Sequence, residues 1–350
     1  MKTIINNINI KAIASYLPKQ NFELRALSEL YGEKEVENII KVTGVERIRV
    51  ADEHQTSSDL CYEAAKSLIE NEKIDVSKIG GLVFASQTRD YILPSTSIIL
   101  QNRLGLSQNT ICMDVPYGCS GYIHGIFQAA SWINSGVSDY ILVLAGDTTT
   151  KIVNKYDKSV RMIFGDCGTA TLVTKGNNTF GFTICSDGSG FHHVIVPAGG
   201  FRLPISEETS KFFYDQDKNG RTKNDLFMDG SAAYDFAVTK AHVNVNELLE
   251  YINWDKNDVG LFAIHQANKF MVNSIRKKIK ADIEKTPINT QNYGNTGPSS
   301  IPLLLSDICS NSNLNFNLEK VIMSAIGVGL SWGSIACSLK DTNFYEPINK

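Results

Sequence analysis

Long hydrophobic runs, a surplus of positive charge and an even cysteine count are all missing from this chain of 350 residues. No stretch reaches the roughly 20 apolar residues that a membrane span needs, so no membrane partner is expected. The 34 Lys and Arg are offset by 37 Asp and Glu, for a net charge of −3. Such a balance leaves no basic field to neutralise phosphates, and nucleic acid is not an expected partner. The seven cysteines, at 61, 112, 119, 167, 185, 309 and 337, are odd in number and scattered. They read as reduced thiols in a cytoplasmic protein rather than as a disulfide framework. The N-terminus lacks the continuous apolar core and small-residue cleavage site of a secretory signal.

Metal and phosphate signatures are missing too. Asp215, Asp217 and Asn219 resemble the start of a calcium loop, but Arg221 and Lys223 occupy its seventh and ninth positions, and Leu226 stands where a Glu is required. His192 and His193 are adjacent, so in a strand they point to opposite faces. The glycines of 164–168 come without a phosphate-loop Lys or a dinucleotide fingerprint. No metal and no cofactor is expected.

What the sequence does contain is a series of Val- and Ile-rich runs bounded by Gly and Asp, at 81–86, 110–115, 140–145, 259–264 and 321–326. Continuous apolarity predicts strands covered on both faces. Between them lie segments of helical period. Ile123, Ile126, Phe127 and Ala130 share a face before Gly136, and Ile301, Leu304, Leu305 and Ile308 share one after Pro298. Strands alternating with helices predict an α/β fold. Each half has a strand running into a polar turn and then a helix, at 114–121 and 263–268, which hints at an internal duplication. The boundary is expected at 176/177, at a Gly-Asn-Asn turn. Residues 197–225 read as a polar excursion over the surface or over a pocket mouth.

Three polar residues sit at such junctions. Cys119 falls where a predicted strand ends and a helix begins, and the positive end of a helix lowers a thiol's pKa. A space-filling thiol is the ordinary alternative, and it suits the other six cysteines. His265 follows the strand at 259–264, at a strand's carboxyl end, where open α/β sheets place ligands. Asn295 lies in a glycine-flanked turn, where a capping role is the bland reading. Together they supply a nucleophile, a proton-handling group and an amide donor for one site.

Six ordered motifs give these residues a family. Gly-Cys-Ser-Gly at 118–121, Phe-Gly-Asp at 164–166, Ser-Asp-Gly at 186–188, His-Gln-Ala-Asn at 265–268, Tyr-Gly-Asn-Thr at 293–296 and Gly-Val-Gly-Leu-Ser-Trp-Gly-Ser at 327–334 make the chain similar, over nearly its whole length, to β-ketoacyl-acyl-carrier-protein synthase III. The resemblance implies a thiolase fold, five-layered αβαβα from two duplicated halves, 1–176 carrying the nucleophile and 177–350 the His and Asn. It implies a homodimer. Cys119 would take an acyl group from a thioester, and His265 with Asn295 would assist decarboxylation of a malonyl thioester on acyl carrier protein. The resulting carbanion would attack the acyl-enzyme, whose oxyanion would be held by the backbone N–H groups of Cys119 and Val328.

Some positions depart from the family. Where members carry a Trp that stacks on the adenine of coenzyme A and a nearby Arg, this chain has Asn38 and Val42, and a further CoA-contacting Arg aligns with Lys158. A carrier-bound acyl donor is therefore favoured over CoA. Leu93 matches a residue that closes the acyl pocket, often across the dimer interface. Lys269, Arg276, Lys277 and Lys278 offer a basic face for an acidic carrier, against the default of a solvated helix, whereas Asp235 replaces a further basic position. Transfer of the Cys119-bound acyl group to an alcohol or amine, a non-catalytic carrier-binding subunit and a cysteine hydrolase are the alternative readings.

Overall fold

Two strands far longer than the usual five or six residues, Lys2–Leu17 and Cys167–Ser186, run through both halves of the protein. They belong to a computed structural model that describes residues 1–310 and 316–349. The two pair antiparallel along their length. The first part of Cys167–Ser186 bonds to Tyr140–Asp147, and its last part to Ser331–Cys337. Beyond Tyr140–Asp147 follow the parallel strands Gly81–Ala85 and Ile111–Val115. Beyond Ser331–Cys337 follow Val321–Gly327 and, parallel to it, Leu261–Ile264.

Alternation along each strand sends side chains to two different cores. Val83, Ala85, Val143 and Ala145 turn inward onto the helices Gly121–Asn134 and Ser300–Cys309, which meet Leu261, Ala263, Val321 and Met323 of the other half in the same core. Leu82, Phe84, Leu142 and Leu144 turn outward onto Leu60, Ala64 and Leu68 of the helix Ser57–Glu72. Phe262, Ile264 and Ile322 do the same against the helices Gly230–Tyr251 and Lys269–Ile279. Helix, sheet, helix, sheet, helix is the order of layers, the five-layered α/β arrangement of the thiolase fold.

Two expectations change. The Gly-Asn-Asn segment does not turn; Cys167–Ser186 continues through it, with register shifts opposite Asn6 to Ala12 absorbing the irregularity. We propose that the repeat nevertheless divides at 176/177, within this shared strand. Ile111–Val115 is not covered on both faces: it is an edge strand, with Ile111 and Met113 exposed. Its apolar run reflects something other than burial within this chain.

The excursion at 197–225 is pinned by an ion cluster. Arg221, with a side chain 7% exposed, reaches Asp157 at 2.5 Å and Asp215 at 2.6 Å, with Phe227 against the guanidinium. The segment's two ends pair as Val194–Ile195 with Phe227–Met228. This places Val194 and Met228 in the wall of the cavity described next.

Candidate active site

Cys119 stands between the edge strand and the helix Gly121–Asn134. The turn is tight: Gly121 N–H bonds to Gly118 O at 2.6 Å, and a Cβ added to Gly118 would stand 2.1 Å from Gln87 Oε1. The Gln87 side chain would have to move for any larger residue before Cys119. The turn beginning at Gly327 lies across the same backbone, since a Cβ there would stand 2.9 Å from Ser120 N and 3.2 Å from Cys119 N. Ser331 Oγ donates to Val328 O at 3.0 Å and lies 2.6 Å from Ser120 Oγ, clamping the two turns together. Among the described residues the N–H of Val328 has no hydrogen-bond partner, and that of Cys119 donates only to its own sulfur.

His265 leaves the sheet at the end of Leu261–Ile264. Its N–H donates to Ser324 O at 2.8 Å, prolonging the parallel ladder by one residue. The residue is 4% exposed, and Nδ1 lies 2.6 Å from Ser300 Oγ. Asn295 is stitched to the neighbouring chain by Asn295 N–H to Ile163 O at 2.8 Å and Gly165 N–H to Asn295 O at 3.0 Å. Its Oδ1 accepts the Gly297 N–H at 3.0 Å. Since that backbone group can only donate, the amide orientation is fixed and Nδ2 is left as a donor.

These three side chains, from three separate junctions, line one cavity of about 90 Å³ together with Phe164, Phe236 and Leu330. Its walls are mostly apolar, and that sets the electrostatics. Burial pushes the Cys119 thiol up to about 12, the Asp147 carboxylate pushes the same way, and a hydrogen bond with Asn295 opposes both. Desolvation of the charged form thus opposes the lowering expected from the helix start. Burial also drives His265 down to about 3, so its imidazole is neutral. Asp147 is fully enclosed and raised to about 6 by burial, against hydrogen bonds from Gln87 N–H, Ser86 Oγ and Thr88. Sequence reasoning missed Asp147; the signal was an acid at the carboxyl end of an apolar strand.

The remaining expected residues scatter. Val328 lines the cavity. Leu93 does not: it is 77% exposed beside exposed Tyr91 and Ile92, after the sheet and away from the cavity lining. Lys269, Lys277 and Lys278 are exposed on the helix Lys269–Ile279, whose Met271 reaches the cavity. Arg276 is half-buried and turns back on its own helix end, donating to Ala281 O at 3.2 Å and Asn273 Oδ1 at 3.4 Å. It is thus not presented outward as the lysines are. Among the described residues no helix is long and apolar enough to cross a membrane.

Comparison with known proteins covers most of the chain. Residues 113–188 match the family 3-oxoacyl-(acyl-carrier-protein) synthase III, and residues 249–339 match its C-terminal part. The chain is 32% identical to the beta-ketoacyl-(acyl-carrier-protein) synthase III of Caldanaerobacter subterraneus subsp. tengcongensis over 93% of this chain and 96% of that one. It is 30% identical to the protein of that name from Clostridioides difficile, over 93% and 96%. The crystal structure of 3-oxoacyl-(acyl-carrier protein) synthase from Burkholderia xenovorans superposes with a TM-score of 0.91 at 31% identity, covering 99% of this chain and 98% of that one. Identity at this level over nearly the whole of both chains shows that the chain belongs to the 3-oxoacyl-(acyl-carrier-protein) synthase III family.

Proposed function

We propose that the protein is a condensing enzyme that joins an acyl group held on Cys119 to a malonyl unit held on acyl carrier protein, in fatty-acid initiation or a specialised pathway. The observation that carries this is the convergence of Cys119, His265 and Asn295 on one cavity. In the first half-reaction the Cys119 sulfur attacks the thioester carbonyl. The acyl–sulfur bond to the donor breaks, and the thiol proton leaves with the departing thiol. The backbone N–H groups of Cys119 and Val328 are the donors for the tetrahedral oxyanion. In the second, CO₂ leaves the malonyl thioester while its carbonyl oxygen gains charge against His265 and Asn295 Nδ2. Two neutral donors stabilise that enolate without gripping the departing carboxylate. The carbanion then attacks the acyl carbon, the carbon–sulfur bond to Cys119 breaks, and the departing thiolate takes up a proton from solvent as the β-ketoacyl carrier is released.

A carrier-bound acyl donor fits the outer cleft better than CoA. The cleft beside Asn38, Val42 and Thr43 offers no flat ring for adenine, and it includes Asp217. Lys158, its cation, is already paired with Glu35 at 3.0 Å. Lys269, Lys277 and Lys278 at the cavity's flank suit an acidic carrier.

A homodimer is supported by the apolar edge. Ile111 and Met113 on an edge strand, Ile98, and exposed Tyr91, Ile92 and Leu93 are apolar residues of the kind that another chain covers. In such a dimer Leu93 would act in the partner's pocket. The seven unpaired cysteines favour a reducing, cytoplasmic location.

Intact mass spectrometry of wild type and Cys119→Ala after incubation with acyl-CoA and acyl-carrier thioesters tests the reading. The expected result is an adduct on wild type only, formed from carrier thioesters in preference to CoA. Equal loading from CoA would remove the donor argument alone. Absence of any adduct, with malonyl carrier unchanged, would remove the enzyme reading and favour a carrier-binding subunit.

A further inference from the structure

His265 is held at one ring nitrogen only. Its Nδ1 lies 2.6 Å from Ser300 Oγ, and among the described residues Nε2, on the opposite edge, has no hydrogen-bond partner. A neutral imidazole carries one N–H, and geometry at this distance does not reveal which nitrogen bears it. The surroundings of Ser300 do. Its hydroxyl has a single proton to give and lone pairs to receive with. Its only other contact among the described residues is the backbone N–H of Gln266, at 3.4 Å, which can only donate. Ser300 is 2% exposed, so water does not supply an easy alternative. Were Nδ1 protonated, two donors would converge on Ser300 Oγ and the hydroxyl proton would be left buried without an acceptor, an arrangement that folded proteins avoid. The one assignment that satisfies every group has Gln266 N–H donating to Ser300 and Ser300 donating to Nδ1.

We infer that Ser300 is a positioning residue that fixes His265 as its Nε2–H tautomer, so that the imidazole presents a donor and not an acceptor to the cavity. Ser300 opens the helix Ser300–Cys309 immediately after the turn that carries Asn295 and Gly297. A single segment, 295–300, therefore holds Asn295, the N–H that orients its amide, and the hydroxyl that orients the histidine. Both side chains then offer N–H groups to the same space. In this tautomer His265 cannot accept the Cys119 proton at Nε2, and its part in the reaction is confined to stabilising developing negative charge. The tautomer stands on the hydrogen bonds alone, whereas its use in decarboxylation rests on the function proposed above.

Two measurements test it. In protein carrying ¹⁵N-labelled histidine, with His265 assigned by comparison with His265→Ala, the His265 signals should show Nε2 protonated and Nδ1 as the bare, hydrogen-bonded nitrogen. In Ser300→Ala the second tautomer should appear. A wild-type signal with Nδ1 protonated overturns the inference whatever the protein catalyses. For the reaction, decarboxylation of malonyl carrier by Ser300→Ala should fall by more than about tenfold, up to the roughly 100- to 1000-fold loss that removing a transition-state donor causes. His265→Ala combined with Ser300→Ala should be no slower than His265→Ala alone. Losses that multiply in the double variant would mean that Ser300 supports the fold rather than the imidazole, and would overturn its role through His265.

Discussion

Gly297 lies directly against Asp147: a Cβ added to the glycine would stand 2.7 Å from Asp147 Oδ2. Its φ of +64° is also a conformation that L side chains rarely adopt. The contact ties the buried acid next to Cys119 to the turn that orients Asn295. Gly297→Ala should therefore lose about 1–2 kcal/mol from backbone strain, with an added steric penalty, seen as a lower midpoint in urea unfolding. It should also misplace the Asn295 amide, so malonyl-carrier decarboxylation should fall further than acyl loading of Cys119 does.

Asn295→Ala removes a donor while leaving the Gly297 backbone free to bind water. Decarboxylation should drop by roughly 100- to 1000-fold, whereas the Cys119 acyl adduct should still form. Equal loss of both half-reactions would point to collapse of the turn rather than loss of an amide.

The reactivity of Cys119 should follow its burial. With the thiol pushed up to about 12 by desolvation and then by Asp147, labelling by iodoacetamide should keep rising beyond pH 9, where an ordinary thiol of pKa about 8.5 levels off. Asp147→Asn should move that profile to lower pH. A wild-type plateau below pH 8 would mean that the helix start overrides burial.

His265 gives stability a definite sign against pH. Its folded pKa, lowered to about 3 by burial, lies below the unfolded value of about 6.5. Between these the unfolded state binds more protons. The histidine's contribution is thus complete above pH 6.5 and is lost progressively as pH falls towards 3. Asp147, raised to about 6, acts in the opposite sense, favouring the fold at low pH and losing that contribution as pH rises through 6. His265→Gln, compared with wild type by urea unfolding, should flatten the acid limb below pH 6.5.

The ion cluster of the excursion should break sharply. Arg221→Met leaves Asp157, whose side chain is 0% exposed, as an unpaired buried charge, and losing one partner of such a pair costs about 3–5 kcal/mol. Early proteolytic cleavage within 197–225, ahead of global unfolding, is the expected readout. An unchanged digestion pattern would count against the cluster as the anchor.

How far could these features be read in advance? The central strands and the two inner helices were legible because Val83, Val143 and Met323 on one face and Leu82, Leu142 and Ile322 on the other leave continuous apolar runs. Cys119, His265 and Asn295 were legible because each sits at a glycine-marked junction between elements. The edge position of Ile111–Val115 was not, since an apolar run on an exposed edge looks in sequence like one that is buried. The turn expected at Lys175–Thr179 failed for a related reason, because pairing with Lys2–Leu17 carries a Gly-Asn-Asn segment through as strand.

The sequence by itself determined the alternation of strands and helices, the residues able to do chemistry and the family, all of which are properties of local pattern and order. The tertiary structure alone decided the protonation of the site. The Cys119 thiol is raised because the cavity desolvates it, Asp147 matters because a strand end 28 residues further along the chain is folded against it, and His265 meets Ser300 across 35 residues. Burial and hydrogen-bond partners are sums over neighbours from distant parts of the chain, and no local pattern contains them.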